Sequence, residues 1–219
     1  MSTNRPAPTI DEARARILAE IGEGVTLVAA SKRQPEARID EALAAGQRVF
    51  GENRVQEAQE RWAHRRAEMP TLELRLIGPL QTNKAEDAVA LFDVIETLDR
   101  EKLLKALVKA VEKTGATPPA LLIQVNTGDE PQKGGVSVSG LPELLATARK
   151  TWSGEIAGVM CIPPAEEPAG PHFALLAKLA KQHGLTQISM GMSSDYALAA
   201  RLGATHVRVG TAFFGARES

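Results

Sequence analysis

The sequence predicts an α/β chain folded as one closed (β/α)8 barrel, with an additional helix ahead of the first strand. Three observations carry that prediction. Short apolar runs alternate with longer amphipathic segments along the whole chain. Several of those runs are apolar at consecutive positions, as strands covered on both faces must be. The 219 residues contain no low-complexity linker and no break in composition, so residues 1–219 read as a single domain of barrel size. An open doubly wound sheet is the alternative that the same alternation allows.

The elements follow in order. "IDEARARILAEI", residues 10–21, is the opening helix, with Thr9 where an N-cap belongs. "VTLVAA" is the first strand, and residues 35–45 a helix that Gly46 closes. "RVFGEN" is a short second strand before a helix over 55–67, and "LELRLIG" a third before a helix over 84–91. "DVIET" leads into a helix from 99 to about 113, and "ALLIQVN" into one near 141–150. "IAGVMCI" precedes a helix over 171–183, "TQISM" one over 194–202, and "HVRVG" a short one over 212–216. That gives eight strands, each followed by a helix, which implies a parallel sheet. "TPP", "NTGDEPQKGGVSVSG" and "CIPPAEEPAGP" are loops marked by Pro and Gly.

The totals narrow the function. The chain is 43% hydrophobic and 24% charged, with a formal net charge of −1. An ordinary core can be buried, and no general field draws the chain to nucleic acid or anionic membrane. Cys161 is the only cysteine, so no intrachain disulfide forms, which suits a reducing compartment. One Cys and four His without ligand spacing argue against a structural metal. "MSTNRPAPTI" has no apolar signal core, and no stretch approaches the ~20 apolar residues of a membrane helix. The expectation is a cytoplasmic protein without a nucleic-acid, membrane or metal partner.

In a barrel the active site lies at the C-terminal ends of the strands. Ser31 and Lys32 stand after the first strand, Glu52 and Asn53 after the second, Gly78 after the third and Asn126 after the fifth. Met190, Gly191, Met192 and Ser193 follow the seventh strand, and Arg208, Gly210 and Thr211 lie at the eighth. "SMGMSSDYALAARLG" and "VRVGTAFFG" each place Gly and hydroxyl residues before a helix, which suits a phosphate dianion. Taken singly, either loop reads as a helix cap or an eased turn; the pair, in barrel positions, points to phosphate. Arg208 alone reads as an arginine that snorkels or pairs with a carboxylate at the rim. Lys32 alone reads as a solvated strand-end lysine, but at a partly dry mouth it can form a Schiff base. A phosphate cup with such a lysine fits pyridoxal 5′-phosphate (PLP) or a sugar-phosphate aldolase equally.

"AASKRQP", "GQRVFGENRVQEA", "LIGPLQTNK", "GVMCIPP" and "SMGMSSDYALAARLGATHVRVGTAFFGAR" resemble the YggS/PROSC family, the pyridoxal phosphate homeostasis proteins. The resemblance runs over residues 27–217. It implies a fold-type III PLP barrel like the N-terminal domain of alanine racemase, without that enzyme's β-rich domain. It implies that Lys32 carries the aldimine with PLP and that Ser193, Gly210 and Thr211 hold the phosphate. Arg208 faces the pyridine nitrogen, Asn53 lies beside the ring, and Met190 and Met192 line the pocket. An arginine at that nitrogen makes the ring a weak electron sink.

The resemblance thus implies a carrier that buffers PLP, supports amino-acid and keto-acid balance, and has little or no catalysis. Its partners are PLP and, transiently, PLP-dependent apoenzymes, and the chain is expected to be a monomer. The alternative is a fold-type III amino-acid racemase, with a cofactor-free aldolase third. The only tyrosine, Tyr196, is expected in a packing or surface role. Two positions depart from the family pattern: Arg75 stands where members often have histidine, and Cys161 where a small residue is common. Lys84 and Lys133 match family lysines; Lys133, in its Gly-rich loop, is a candidate to assist PLP transfer. "RWAHRR" reads as a solvated helix face rather than a nucleic-acid patch.

Overall fold

A computed structural model describes residues 8–215. The opening helix α1 (Ile10–Ile21) starts on a capping box: Thr9 accepts the Glu12 N–H, and the Glu12 carboxylate reaches back to the Thr9 N–H at 2.8 Å. The strand–helix units then follow as β1 (Thr26–Ala30), α2 (Glu36–Ala44), β2 (Val49–Glu52), α3 (Val55–Glu68) and β3 (Glu73–Leu76). A 3-10 turn at Thr82–Lys84 leads into α4 (Ala85–Leu91), then β4 (Val94–Leu98), α5 (Glu101–Thr114) and β5 (Ala120–Asn126). A two-residue strand, β6 (Val136–Ser137), is followed by α6 (Leu141–Thr151), β7 (Ile156–Met160) and α7 (Ala169–His183). The last units are β8 (Gln187–Ser189), α8 (Tyr196–Arg201), β9 (His206–Val209) and α9 (Thr211–Phe214).

Every strand pairing is parallel. The order runs β4-β3-β2-β1-β9-β8-β7-β5, and β4 pairs with β5, so eight strands close into a ring. β6 pairs only with β5 and lies outside it. The closed barrel therefore replaces the open-sheet alternative. The prediction missed β6, which is two residues of a Gly-rich loop without an apolar pattern. It also placed α8 two residues early, and the final residue of its last helix, Ala216, lies outside the described residues, as does 1–7.

Strand alternation divides the buried side chains in two. Leu27, Ala29, Phe50, Leu74, Leu76, Ile95, Leu121, Ile123 and Val207 join the helices in one large apolar cluster. The opposite parity points into the ring. Arg75 on β3 donates to Gln187 on β8 at 2.9 Å, and those strands stand four places apart, so the bond crosses the interior. Inside, Val94, Leu122, Ala157 and Met160 form a small apolar cluster. Beside it runs a polar chain that includes Arg75, Glu96, Ser189 and Arg208, each nearly or fully buried. On the outside, α1 packs against α8 and the short α9, where Arg16 donates to the Ala212 carbonyl at 3.0 Å. No helix among the described residues is long and apolar enough to cross a membrane.

Candidate functional site

A cavity of about 320 Å³ opens at the C-terminal mouth of the barrel. Lys32, Asn53, Met192, Ser193, Arg208, Gly210 and Thr211 all line it, so the ends of four strands remote in sequence meet there. Met190 does not. It is fully buried in the cluster behind the strands, because its neighbour Ser189 takes the inward parity of β8 and turns Met190 outward. Ala30, Gln34, Ile77, Ile162 and Ser194 complete the lining; Ile77 and Ile162 were not singled out from the sequence, although they sit one and two residues past their strands. Among the described residues the large apolar side chains left exposed are Ile162 and Met192, and both lie here.

One end of the cavity is built for an anion. Ser193 Oγ accepts the N–H groups of Gly210 at 3.3 Å and Ala212 at 3.2 Å, which ties the loop after β8 to the first turn of α9. Ser193 thus does not cap its own helix; Asp195 takes that position and accepts the Met192 N–H at 2.6 Å. With two N–H bonds accepted, the Ser193 hydroxyl still has its own hydrogen to donate. Gly191, at φ +91, gives the turn its sharp start, and a Cβ there would come within 2.5 Å of the Ala199 methyl.

At the axis lies Arg208, 4% exposed. Its guanidinium donates to Ser189 Oγ at 2.7 Å and to the Cys161 carbonyl at 2.8 Å. Ser189 in turn donates to Glu96 Oε2 at 2.6 Å, and Arg75 donates to Glu96 Oε1 at 2.5 Å and to Glu73 at 2.5 Å. Burial alone would push the Glu96 carboxyl up; the Arg75 and Arg208 charges and the hydrogen bonds outweigh it and hold it below the usual carboxylate range. Arg208 is therefore held rigidly by a buried, charge-balanced chain, not snorkelling. Arg75 sits within that chain, below the mouth. Cys161 contributes its carbonyl, while burial pushes its thiol up to about 12.

Lys32 also lines the cavity. It is exposed at the rim, so the partly dry setting expected from the apolar strand before it is not what the fold provides. Lys32 and Arg33 occupy the middle of a turn that the Gln34 N–H closes onto the Ser31 carbonyl at 3.1 Å. Asn53 brings a buried side-chain oxygen without a partner. Its loop is seated by Gly78, where a Cβ would lie 2.3 Å from the Asn53 carbonyl oxygen. Such a Cβ would overlap the backbone, so only glycine lets the β2 and β3 loops meet here.

The remaining candidates lie apart. Lys133 is held by Glu130 at 2.7 Å and reaches the Pro163 carbonyl at 3.4 Å, and Lys84 pairs with Asp87 at 3.5 Å. Tyr196 donates to Glu20 on α1 at 2.5 Å, and burial with that bond pushes its hydroxyl up to about 12. In "RWAHRR" the expected solvated face is partly wrong: Trp62 is fully buried, Arg65 pairs with Glu36 and Asp40, and Arg66 with Asp93.

The mouth can hold a small flat molecule that carries a phosphate. Hydroxyl donors, an amine, a fixed guanidinium and apolar side chains line the one space. Its size, the free Ser193 donor and the unpartnered Asn53 oxygen all fit PLP.

Comparison with known proteins converges on the same group. The family model of the alanine racemase N-terminal domain matches residues 12–218. The pyridoxal phosphate homeostasis protein of Escherichia coli strain K12 is 36% identical over 206 residues, which cover 90% of this chain and 87% of that protein. That of Pseudomonas aeruginosa is 38% identical over 96% of both. The structure of PipY from Synechococcus elongatus with PLP bound superposes with a TM-score of 0.83 at 38% identity, covering 94% of this chain and 100% of that one. Alanine racemase from Clostridium difficile has a TM-score of 0.76 at 12% identity, over 57% of its own length, and shares the fold.

Proposed function

The chain belongs to the alanine racemase N-terminal domain family, within its pyridoxal phosphate homeostasis proteins, and on that premise we propose that it is a single-domain PLP carrier. It buffers the cofactor in the cytoplasm, releases it to PLP-dependent apoenzymes, and maintains amino-acid and keto-acid balance with little or no catalysis of its own. One observation carries the reading: the phosphate cup, Arg208 and Lys32 line one cavity at the mouth of a closed barrel.

When bound, PLP supplies an aldehyde carbon with which an amine condenses, losing water. Lys32 is the amine that supports a covalent attachment. Ser193 and Thr211 would bind the phosphate through their hydroxyl hydrogens, with the Thr211 N–H beside them and Gly210 leaving room for the approach; the Gly210 and Ala212 N–H groups are already given to Ser193 Oγ. Arg208, always charged, would donate to the ring nitrogen without protonating it. Ile77, Ile162 and Met192 would flank the ring, and the unpartnered Asn53 Oδ1 would be available to accept a hydrogen bond beside it. The single buried cysteine suits a reducing compartment.

The test is a PLP titration followed by absorbance, then borohydride reduction and peptide mapping. An aldehyde–amine band with the label on Lys32, lost in Lys32→Ala, is the expected result. A chain that takes up no PLP would end the carrier reading. Label on another lysine would end the assignment to Lys32.

A further inference from the structure

The turn that carries Lys32 holds its shape against a local cost. Arg33, its third residue, has φ +57, in the left-handed region that side chains with a Cβ rarely occupy. Nothing in the sequence of the turn favours that conformation, since neither glycine nor asparagine is present. Something outside the turn must hold it.

Arg61 on α3 is placed to do so. Its guanidinium donates to the Ser31 carbonyl at 2.9 Å and to the Gln34 carbonyl at 2.9 Å, the two ends of the turn. The same fork donates to Glu52 Oε1 at 2.8 Å and to Glu36 at 3.1 Å. Glu52 is fully buried, and its Oε1 also accepts from Ser31 Oγ at 2.8 Å and from Trp62 Nε1 at 2.9 Å. The carboxylate fixes the guanidinium, and the guanidinium fixes both ends of the turn. Four acceptors around one planar fork is an arrangement that lysine cannot reproduce.

We propose that Arg61, anchored by Glu52, is a positioning residue for Lys32: it holds the left-handed turn that sets the amine at the edge of the cavity. This rests on the reading of Lys32 as the covalent anchor. Arg61 touches neither the cavity nor the cofactor; it acts through the backbone on either side of Lys32.

The experiment separates attachment from binding. Attachment is the fraction of chain trapped on Lys32 by borohydride across a PLP titration. Binding is the affinity for pyridoxine 5′-phosphate, which has the phosphate and ring but no aldehyde. Arg61→Lys keeps a positive charge for Glu52 and removes the fork. It is expected to weaken attachment about tenfold, with affinity for the analogue held within about twofold. Arg33→Gly removes the cost of the left-handed turn, so R61K/R33G is expected to recover most of the attachment that R61K loses. If R61K does not fold, Glu52→Gln, which keeps the shape of the anchor without its charge, is expected to give the same split.

Equal attachment in R61K and the unaltered chain would overturn the inference. So would loss of attachment and analogue binding together, or no recovery in the double variant. An unaltered chain that binds the analogue yet traps nothing on Lys32 would remove the anchor reading, and the inference with it. One that binds neither would remove the carrier reading itself.

Discussion

His206 shows how one residue registers the polar interior. It begins β9, with Nδ1 2.8 Å from Thr205 Oγ1, beside the buried arginines. Burial first, then the Arg75 charge, push its pKa from 6.5 down to about 4, with Glu96 pulling the other way. Between those two values the unfolded chain binds a proton that the folded chain refuses. Stability therefore falls as pH drops through that window, by up to about 3 kcal/mol, and His206 contributes no pH dependence above it. Glu96 does not offset this: its pKa is lowered, so its contribution is lost only below the ordinary carboxylate range. Urea titrations at several pH values should show the slope, and His206→Gln should flatten it. At this scale the sequence was partly legible. Lys32 and Arg208 stand out because charged residues end apolar runs. Met190 misled because "SMGM" offers two methionines of the same parity, and only the seating of Ser189 against Arg208 shows that β8 has ended its inward row before them. Arg61 was invisible, because its partners lie in three other segments.

Strands remote from one another around the ring are joined through the interior by charge and hydrogen bonds, as neighbours are by the ladder. Glu96 on β4 accepts from Arg75 on β3 and from Ser189 on β8, and stands 3.9 Å from Arg208 on β9. Removing the carboxylate with Glu96→Ala leaves two buried arginines short of a counter-charge, and should cost roughly 3–5 kcal/mol in urea denaturation. Glu96→Gln, which can still accept hydrogen bonds, should cost less. The strands themselves were read almost to the residue, since consecutive apolar positions bounded by Gly, Pro and polar residues leave little freedom. α8 starts later than expected because Ser193 is drawn to the α9 turn and Asp195 bonds back to Met192. No apolar pattern announces such a side-chain commitment.

For the whole molecule, eight alternating units were enough to anticipate the barrel, and β4 pairing with β5 closes it. Its interior was not legible. "LELRLIG" and "HVRVG" read as strands interrupted by one arginine each, Arg208 as one that snorkels or pairs with a carboxylate at the rim, and only closure brings Arg75 and Arg208 to the same buried carboxylate, Glu96. The expected monomer should sediment as a single species near 23.4 kDa, with or without PLP. A dimer that forms on loading would contradict that expectation.

The buried arginine–carboxylate axis also shapes the response to heat. Barrels of this type commonly fill their axis with branched aliphatic side chains. Here Arg75, Glu96, Ser189 and Arg208 take much of that space, so unfolding releases less hydrocarbon and more polar surface to water. Apolar exposure raises the heat capacity of unfolding and polar exposure lowers it, so the curve of stability against temperature is flatter than for an aliphatic-filled barrel. Hydration of free ions also weakens on warming, which makes their burial progressively less unfavourable. The same residues that fix a guanidinium at the mouth thus broaden the temperature range over which it stays fixed.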